Sequence, residues 1–385
     1  MADRALSGLV VVDLSLGIAG GYCTKLLADQ GAEVIKVEPP EGDPTRHLGP
    51  FPDGTPDPER SALFLHLHTG KKSVTLDVTT PAGAATVRRL LARADVLVES
   101  FLPGTLARHG LAYDDLAEQY PDLVYCSITP YGQTGPWRDY RGNGFTAWAT
   151  GGLAYVTGNP DREPLANGAD PAEYFAGVNA ALGILAALAY RDAHGGGQHV
   201  DVSLMEAVAA NLEYTTALYS MQGAIRRRWY SRHVFRYPSD IFPCRDGYVA
   251  VIYGRTGLQQ LAVLLDRPEL LEDPLFLSYA ERVKRWRELD AILEPYLRSH
   301  TAREIVEAAQ DLHEPFALVL DVPGLLADPH LRERRYFQEL THPRAGKLRY
   351  PGPPYRMSET PWETGRAPLL GEHNDELPPT DQTAG

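Results

Sequence analysis

Short apolar runs and amphipathic stretches alternate along the first part of the chain. "LVVVDLS" (9–15), "EVIKVE" (33–38), "KSVTLDV" (72–78), "DVLVES" (95–100) and "DLVYCSI" (122–128) read as buried strands. "YCTKLLADQGA" (22–32) and "AGAATVRRLLARA" (82–94) read as helices between them. Strands alternating with helices of about ten residues predict an α/β fold: a parallel, doubly wound sheet with helices on both faces.

"ADPAEYFAGVNAALGILAALAYR" (169–191) opens with two carboxylates and becomes a long apolar helix. Its apolar stretch, Tyr174 to Tyr190, contains Asn179 and is shorter than the ~20 residues of a membrane span, so the expectation is a buried helix. "GGGQHVDVSL" (195–204) supplies a turn and a strand, and Met205 to Met221 reads as helix. After the basic stretch "RRRWYSRHVFR" (226–236), "DGYVAVIYG" (246–254) begins a new α/β pattern, with helices expected near 257–265, 281–299 and 302–312. The tail from Leu340 is rich in proline and glycine and is expected to wrap over a surface.

Composition narrows the function. A 44% hydrophobic, 23% charged chain of 385 residues is of globular type, and a net charge of −13 argues against nucleic acid or an anionic membrane as the main partner. Cys23, Cys126 and Cys244 form neither a CxxC nor a zinc spacing, so no metal is expected and a reduced, cytoplasmic setting is. The turn "LSLGIAGG" is not GxGxxG, and Walker A and GxSxG motifs do not occur.

Seven phrases stand out in order: "LSGLVVVDLS…AGGYCTKLLADQGAEVIKVEPPEGDPTR", "HTGKKSVTLDV", "ADVLVESFLPGTLARHGL", "PDLVYCSITPYGQTGP", "AGVNAALGILAALAYRDAHGGGQHVDVSLMEA", "CRDGYVAV" and "APLLGEHNDEL". Together they resemble family III of the CoA transferases, the CaiB/BaiF group of formyl-CoA and carnitine CoA transferases and α-methylacyl-CoA racemase. The resemblance implies a large Rossmann-like domain, 1–222 plus 330–385, and a smaller α/β domain, 223–329, in an interlocked homodimer. It implies coenzyme A or acyl-CoA and a carboxylic acid as substrates. It places Lys71, Lys72 and Arg108 as charges for CoA, Phe101 and Tyr131 as apolar walls, and Ile18 and Ala19 as backbone near the thioester. From the residues alone, Lys71 and Lys72 read equally well as a solvated turn.

In transferases of this family an aspartate four residues before a glycine attacks the thioester. Counting back from Gly177 reaches Glu173, so the resemblance assigns the nucleophile to a glutamate in place of the usual aspartate. Asp170, Pro171 and Glu173 also form an N-cap, N1 and N3 series, the pattern of a capping box. Three other departures are visible. Gly142, Asn143 and Gly144 stand where racemases carry Gly-His-Asp, which removes an acid/base group and disfavours racemisation. His68 replaces an asparagine and Gly21 a proline. The glycine-rich loop of formyl-CoA transferase has no counterpart before residue 246, where the basic stretch offers instead a contact for CoA phosphate, substrate carboxylate or partner subunit. The expected activity is acyl-CoA:carboxylate CoA transfer through a glutamyl anhydride and thioester. The rivals are other acyl-CoA chemistry (hydrolase, lyase or isomerase) and CoA-thioester binding without turnover.

Overall fold

A computed structural model describes residues 4–232, 237–253, 259–273 and 278–377. The chain divides into two compact units, Met1–Ala154 with Ala166–Gly223 and Arg334–Gly385, and Tyr155–Leu165 with Ala224–Glu333.

The first unit is built on six parallel strands in the order β3-β2-β1-β4-β5-β6. These are β1 (Val10–Asp13), β2 (Glu33–Glu38), β3 (Lys72–Thr75), β4 (Val96–Glu99), β5 (Val124–Thr129) and β6 (His199–Ser203). Val11, Val34, Val98, Cys126 and Ile128 meet α1 (Ile18–Asp29) and the long helix Pro171–His194 on one face. Val12, Ile35, Val74, Leu97 and Tyr125 meet α2 (Pro81–Leu91) on the other. Burial on both sides explains the unbroken apolar runs. The order reverses between β1 and β4, and a parallel sheet of this winding opens a crevice there, outside the carboxyl ends of the strands.

Two helices complete the layer that carries the site: the short α3 (Gly144–Thr150) and the long helix, here α4 (Pro171–His194). Helix α4 has 24 residues, more than the apolar run suggested, and by length and composition it is long enough to cross a membrane. Its small residues Ala172, Ala176, Gly177, Ala180 and Ala181 are buried, while Val178, Leu182 and Leu185 leave an apolar stripe exposed. Gly177 permits the close crossing with α1, because a Cβ there would lie 2.7 Å from the Ala19 carbonyl.

Several elements depart from the periodic reading. Helix α1 begins four residues early, at Ile18, behind Gly17 at φ 84°. The expected helix Met205–Met221 is broken into Leu204–Ala209 and Glu213–Gln222 by a 3-10 turn. The tail does more than wrap: Phe337–His342 and Gly346–Pro351 pair as an antiparallel hairpin, and Tyr350 and Ala367 join Phe64 and Leu65 in a small buried cluster.

In the second unit, three antiparallel strands, Ser239–Cys244, Gly247–Ile252 and Ala317–Leu318, carry α5 (Trp286–Ser299) and α6 (Ala302–Asp311). Leu289, Leu293 and Leu297 recur at helical spacing against Phe242, Val249 and Ile305.

Candidate active site

Glu173 lies at the third position of α4, where the capping-box reading has its carboxylate turning back to the Asp170 amide. The structure corrects this. Asp170 is the N-cap residue and Pro171 the first helical one, but the Asp170 side chain makes no capping bond. Glu173 instead reaches out of its own helix: its Oε1 accepts the Gly144 N–H at 3.0 Å, and the Ala19 backbone lies close enough to help hold the carboxylate ionised. Gly144 opens α3, and Ala19 is the second residue of α1. The N-termini of α3 and α4 therefore meet at one carboxylate, with the start of α1 packed alongside, and a helix N-terminus presents the positive end of its dipole.

Burial pushes the Glu173 pKa above its ordinary value, helped by the Asp170 charge and opposed by the Gly144 bond and the Ala19 backbone. The result is a half-buried carboxylate, held by amides yet less solvated than a surface glutamate. That combination suits a nucleophile or general base. A side chain at 144 has no room, because its Cβ would lie 2.9 Å from Glu173 Cγ.

Ile18 and Ala19 open α1 just after the turn that follows β1, and Phe101 follows β4, so they flank the crevice at the reversal of strand order. The two loops are tied together: Leu16 N–H donates to Ser100 Oγ at 2.8 Å. Arg108 is exposed on the short 3-10 turn Leu106–His109 of the same loop. Tyr131 follows β5 and sets its ring edge-on to Trp137 and Tyr140. It abuts Gly142, whose Cβ would stand 3.0 Å from the Tyr131 ring, so Tyr131 borders the segment that delivers the Gly144 amide. Asn143 is the N-cap of α3, accepting the Thr146 N–H at 3.1 Å.

The two lysines of the pair are placed differently from one another. Lys71 points inward, its side chain inaccessible, and bonds the Gly21 carbonyl (2.9 Å), Thr24 Oγ1 (2.7 Å) and Asp13 Oδ2 (3.3 Å). Burial lowers its pKa to about 8, against the pull of Asp13. Lys72 pairs with Glu33 (3.1 Å) and Glu376 (2.6 Å) on the edge strand β3. Lys71 is thus closed off from the surface, whereas the Lys72 side chain is 36% exposed.

The two departures His68 and Gly21 face each other: a Cβ at 21 would lie 3.4 Å from His68 Cε1 and Nε2. The His68 ring is fully buried, stacked on Phe64 at 4.4 Å, and its Nδ1 lies 3.1 Å from the Lys71 ammonium. A glycine on α1 leaves the space that the larger ring takes.

Two arginines of the basic stretch bond within the second unit. Arg228 donates to the carbonyls of Asn159 and Tyr155. Arg232 pairs with Asp240 (2.9 Å) and Asp290 (3.0 Å), and lies 3.8 Å from the centre of the Trp286 ring. These arginines build the second unit. Residues 233–236 lie outside the described residues.

Sequence reasoning missed a cavity of about 250 Å³ behind the loop that carries Arg108, lined by Glu99, Tyr113, Ser127, Gln133, Arg138 and His199. Ser127 Oγ and His199 Nε2 are 2.9 Å apart, and burial raises the Glu99 pKa to about 7. The register was legible in part, since Glu99, Ser127 and Asp201 sit side by side on adjacent strands. Among the described residues, no group of three His, Cys, Asp or Glu side chains is arranged to hold a metal ion.

The profile of CoA-transferase family III matches residues 6–374. The chain is 36% identical over 381 residues to the succinyl-CoA–D-citramalate CoA-transferase of Chloroflexus aurantiacus, covering 97% of this chain and 93% of that one. It is 33% identical over 379 residues to the succinyl-CoA:glutarate CoA-transferase of Homo sapiens, covering 97% and 85%. The crystal structure of a CaiB/BaiF family protein from Brucella suis superposes with a TM-score of 0.87 at 33% identity, covering 97% and 98% of the two chains.

Proposed function

Because this chain belongs to CoA-transferase family III, we propose that it moves CoA from an acyl-CoA to a second carboxylic acid, with Glu173 as the covalent nucleophile. The observation that carries this reading is the Glu173 carboxylate, drawn out of its own helix to the Gly144 amide and the Ala19 backbone. A carboxylate doing no more than capping α4 has no reason to be there.

A Glu173 oxygen attacks the thioester carbon, the C–S bond breaks, and CoA leaves as thiolate from a mixed anhydride. The thiolate attacks the Glu173 carbonyl carbon, releasing the first acid as carboxylate and leaving a glutamyl thioester. The incoming carboxylate attacks that thioester, and thiolate leaves again. It then attacks the acceptor's acyl carbon, which frees Glu173 and the new acyl-CoA. The Gly144 N–H, already bonded to Glu173 Oε1, would meet the charge that develops on the glutamyl oxygen, and an amide donor held in place stabilises such charge. The relatives' names point to succinyl-CoA as donor and a short dicarboxylate as acceptor.

Succinyl-CoA followed by hydroxylamine is expected to leave a hydroxamate on the peptide containing residues 169–191, at Glu173. A label on Asp170, or no label while succinyl-CoA is consumed, would overturn the assignment.

The same reading includes an interlocked homodimer working in the cytoplasm. The exposed stripe Val178, Leu182 and Leu185 is an apolar surface that a second chain would cover. Sedimentation equilibrium at low micromolar protein should give one dimeric species, and a predominantly monomeric protein would count against the interlocked assembly.

A further inference from the structure

The turn after β1 is anchored on both sides of its tip. Leu14 N–H donates to the Val98 carbonyl at 2.8 Å. Ser15 gives its N–H and hydroxyl to Asp13 Oδ1, at 3.0 and 2.5 Å, and its carbonyl accepts the Lys36 ammonium. Beyond the tip, the Gly21 carbonyl accepts from Lys71, and Thr24 Oγ1 lies 2.6 Å from Asp13 Oδ2. Gly17, Ile18 and Ala19 project between these anchors, and the Ala19 backbone packs on α4 one turn from Glu173, its carbonyl 2.7 Å from where a Cβ on Gly177 would lie.

Four of the anchoring charges are out of water. Asp13, Lys36, Lys71 and Asp43 have fully inaccessible side chains, with Lys36 3.0 Å from Asp43 and 3.9 Å from Asp13. Charges buried together are poor stabilisers compared with apolar residues of the same volume, so a set of four under a single turn calls for another explanation. The turn they hold supplies a backbone contact to the candidate nucleophile. Displacing a reacting group by ~1 Å can cost ~100-fold in rate.

We propose that Asp13, Lys36 and Lys71 are positioning residues for CoA transfer: through Ser15, Thr24 and Gly21 they fix the Ala19 backbone against the Glu173 carboxylate. The inference rests on the nucleophile reading above. Gly20 belongs to the same device. A Cβ there would fall 2.0 Å from Ser15 Oγ and 2.2 Å from Ser15 Cβ, so the two limbs of the turn touch and leave no room for a side chain.

Gly20→Ala therefore parts the limbs without removing a charge. It is expected to lower kcat for CoA exchange by roughly 10- to 100-fold, the scale of a misplacement of about 1 Å. The KM for acyl-CoA should stay within a factor of about three. The acid limb of the kcat profile should move up in pH, because the Ala19 backbone contact that lowers the Glu173 pKa is loosened. Ser15→Gly in the Gly20→Ala background removes the clashing atoms and should recover most of the loss. Thr24→Val, close in shape and fully buried, tests the charged side of the device and should shift kcat and the acid limb the same way. Parental kcat and acid limb in both Gly20→Ala and Thr24→Val would overturn the proposal, as would losses confined to KM. Glu173→Gln, assayed alongside, separates the failures. If it still exchanges CoA, the nucleophile reading falls and the positioning role with it. If it is inactive while the other two are parental, the positioning proposal alone fails.

Discussion

Glu173→Gln is expected to abolish CoA exchange, by at least ~1,000-fold in kcat, while leaving the fold and CoA binding in place. The amide keeps the shape and one acceptor oxygen for the Gly144 N–H, but it cannot form an anhydride. Intact mass after incubation with succinyl-CoA should show an adduct on the parent and none on the variant, and circular dichroism should overlay. If exchange persists, Glu173 serves the helix and not the reaction. The parent's pH profile gives an independent check. Burial raises the Glu173 pKa, so the proton stays on at pH values where an ordinary glutamate is ionised. The nucleophile must be ionised, so kcat should fall as pH drops through that raised value, an acid limb above the usual glutamate range.

Lys36→Met is expected to be among the most damaging single changes to stability in the first unit. It removes the cation between Asp13 and Asp43, leaving two carboxylates in a place water does not reach. Breaking a buried pair from one side costs about 3–5 kcal/mol. The measurement is the urea midpoint at neutral pH, which should fall with little change in slope. A midpoint within the error of the parent would mean that the buried charges are far better solvated than their inaccessibility implies.

Much of this architecture was legible in the sequence, for a physical reason. A strand covered on both faces is apolar throughout, so the runs at Val10–Asp13 and Val124–Thr129 announced themselves. Glu173 was singled out by the family resemblance, four residues before Gly177, and the close crossing of α1 and α4 shows what that glycine permits. Its partner was not legible. The Gly144 amide carries no side-chain signature, and it lies 29 residues away in the chain. The Asp13–Lys36–Lys71 network was hidden for the opposite reason. Lys36 in "EVIKVE" reads as the polar exception in a strand, and Lys71 as half of a basic pair at a turn; only the folded arrangement turns both inward. The hairpin Phe337–Pro351 escaped because glutamate, arginine and lysine on its strands blur the alternation that marks a half-buried ribbon.

The placement of the three thiols makes the protein its own unfolding gauge. Cys23 and Cys126 sit in the same apolar cluster of the first unit, and Cys244 is half-buried on a strand of the second. A maleimide added to native protein should therefore mark Cys244 within minutes and spare the other two until the first unit opens. Mapped by peptide mass along a denaturant series, the onset of labelling at Cys23 and Cys126 would report the opening of the first unit, with Cys244 as the internal standard and no engineered label.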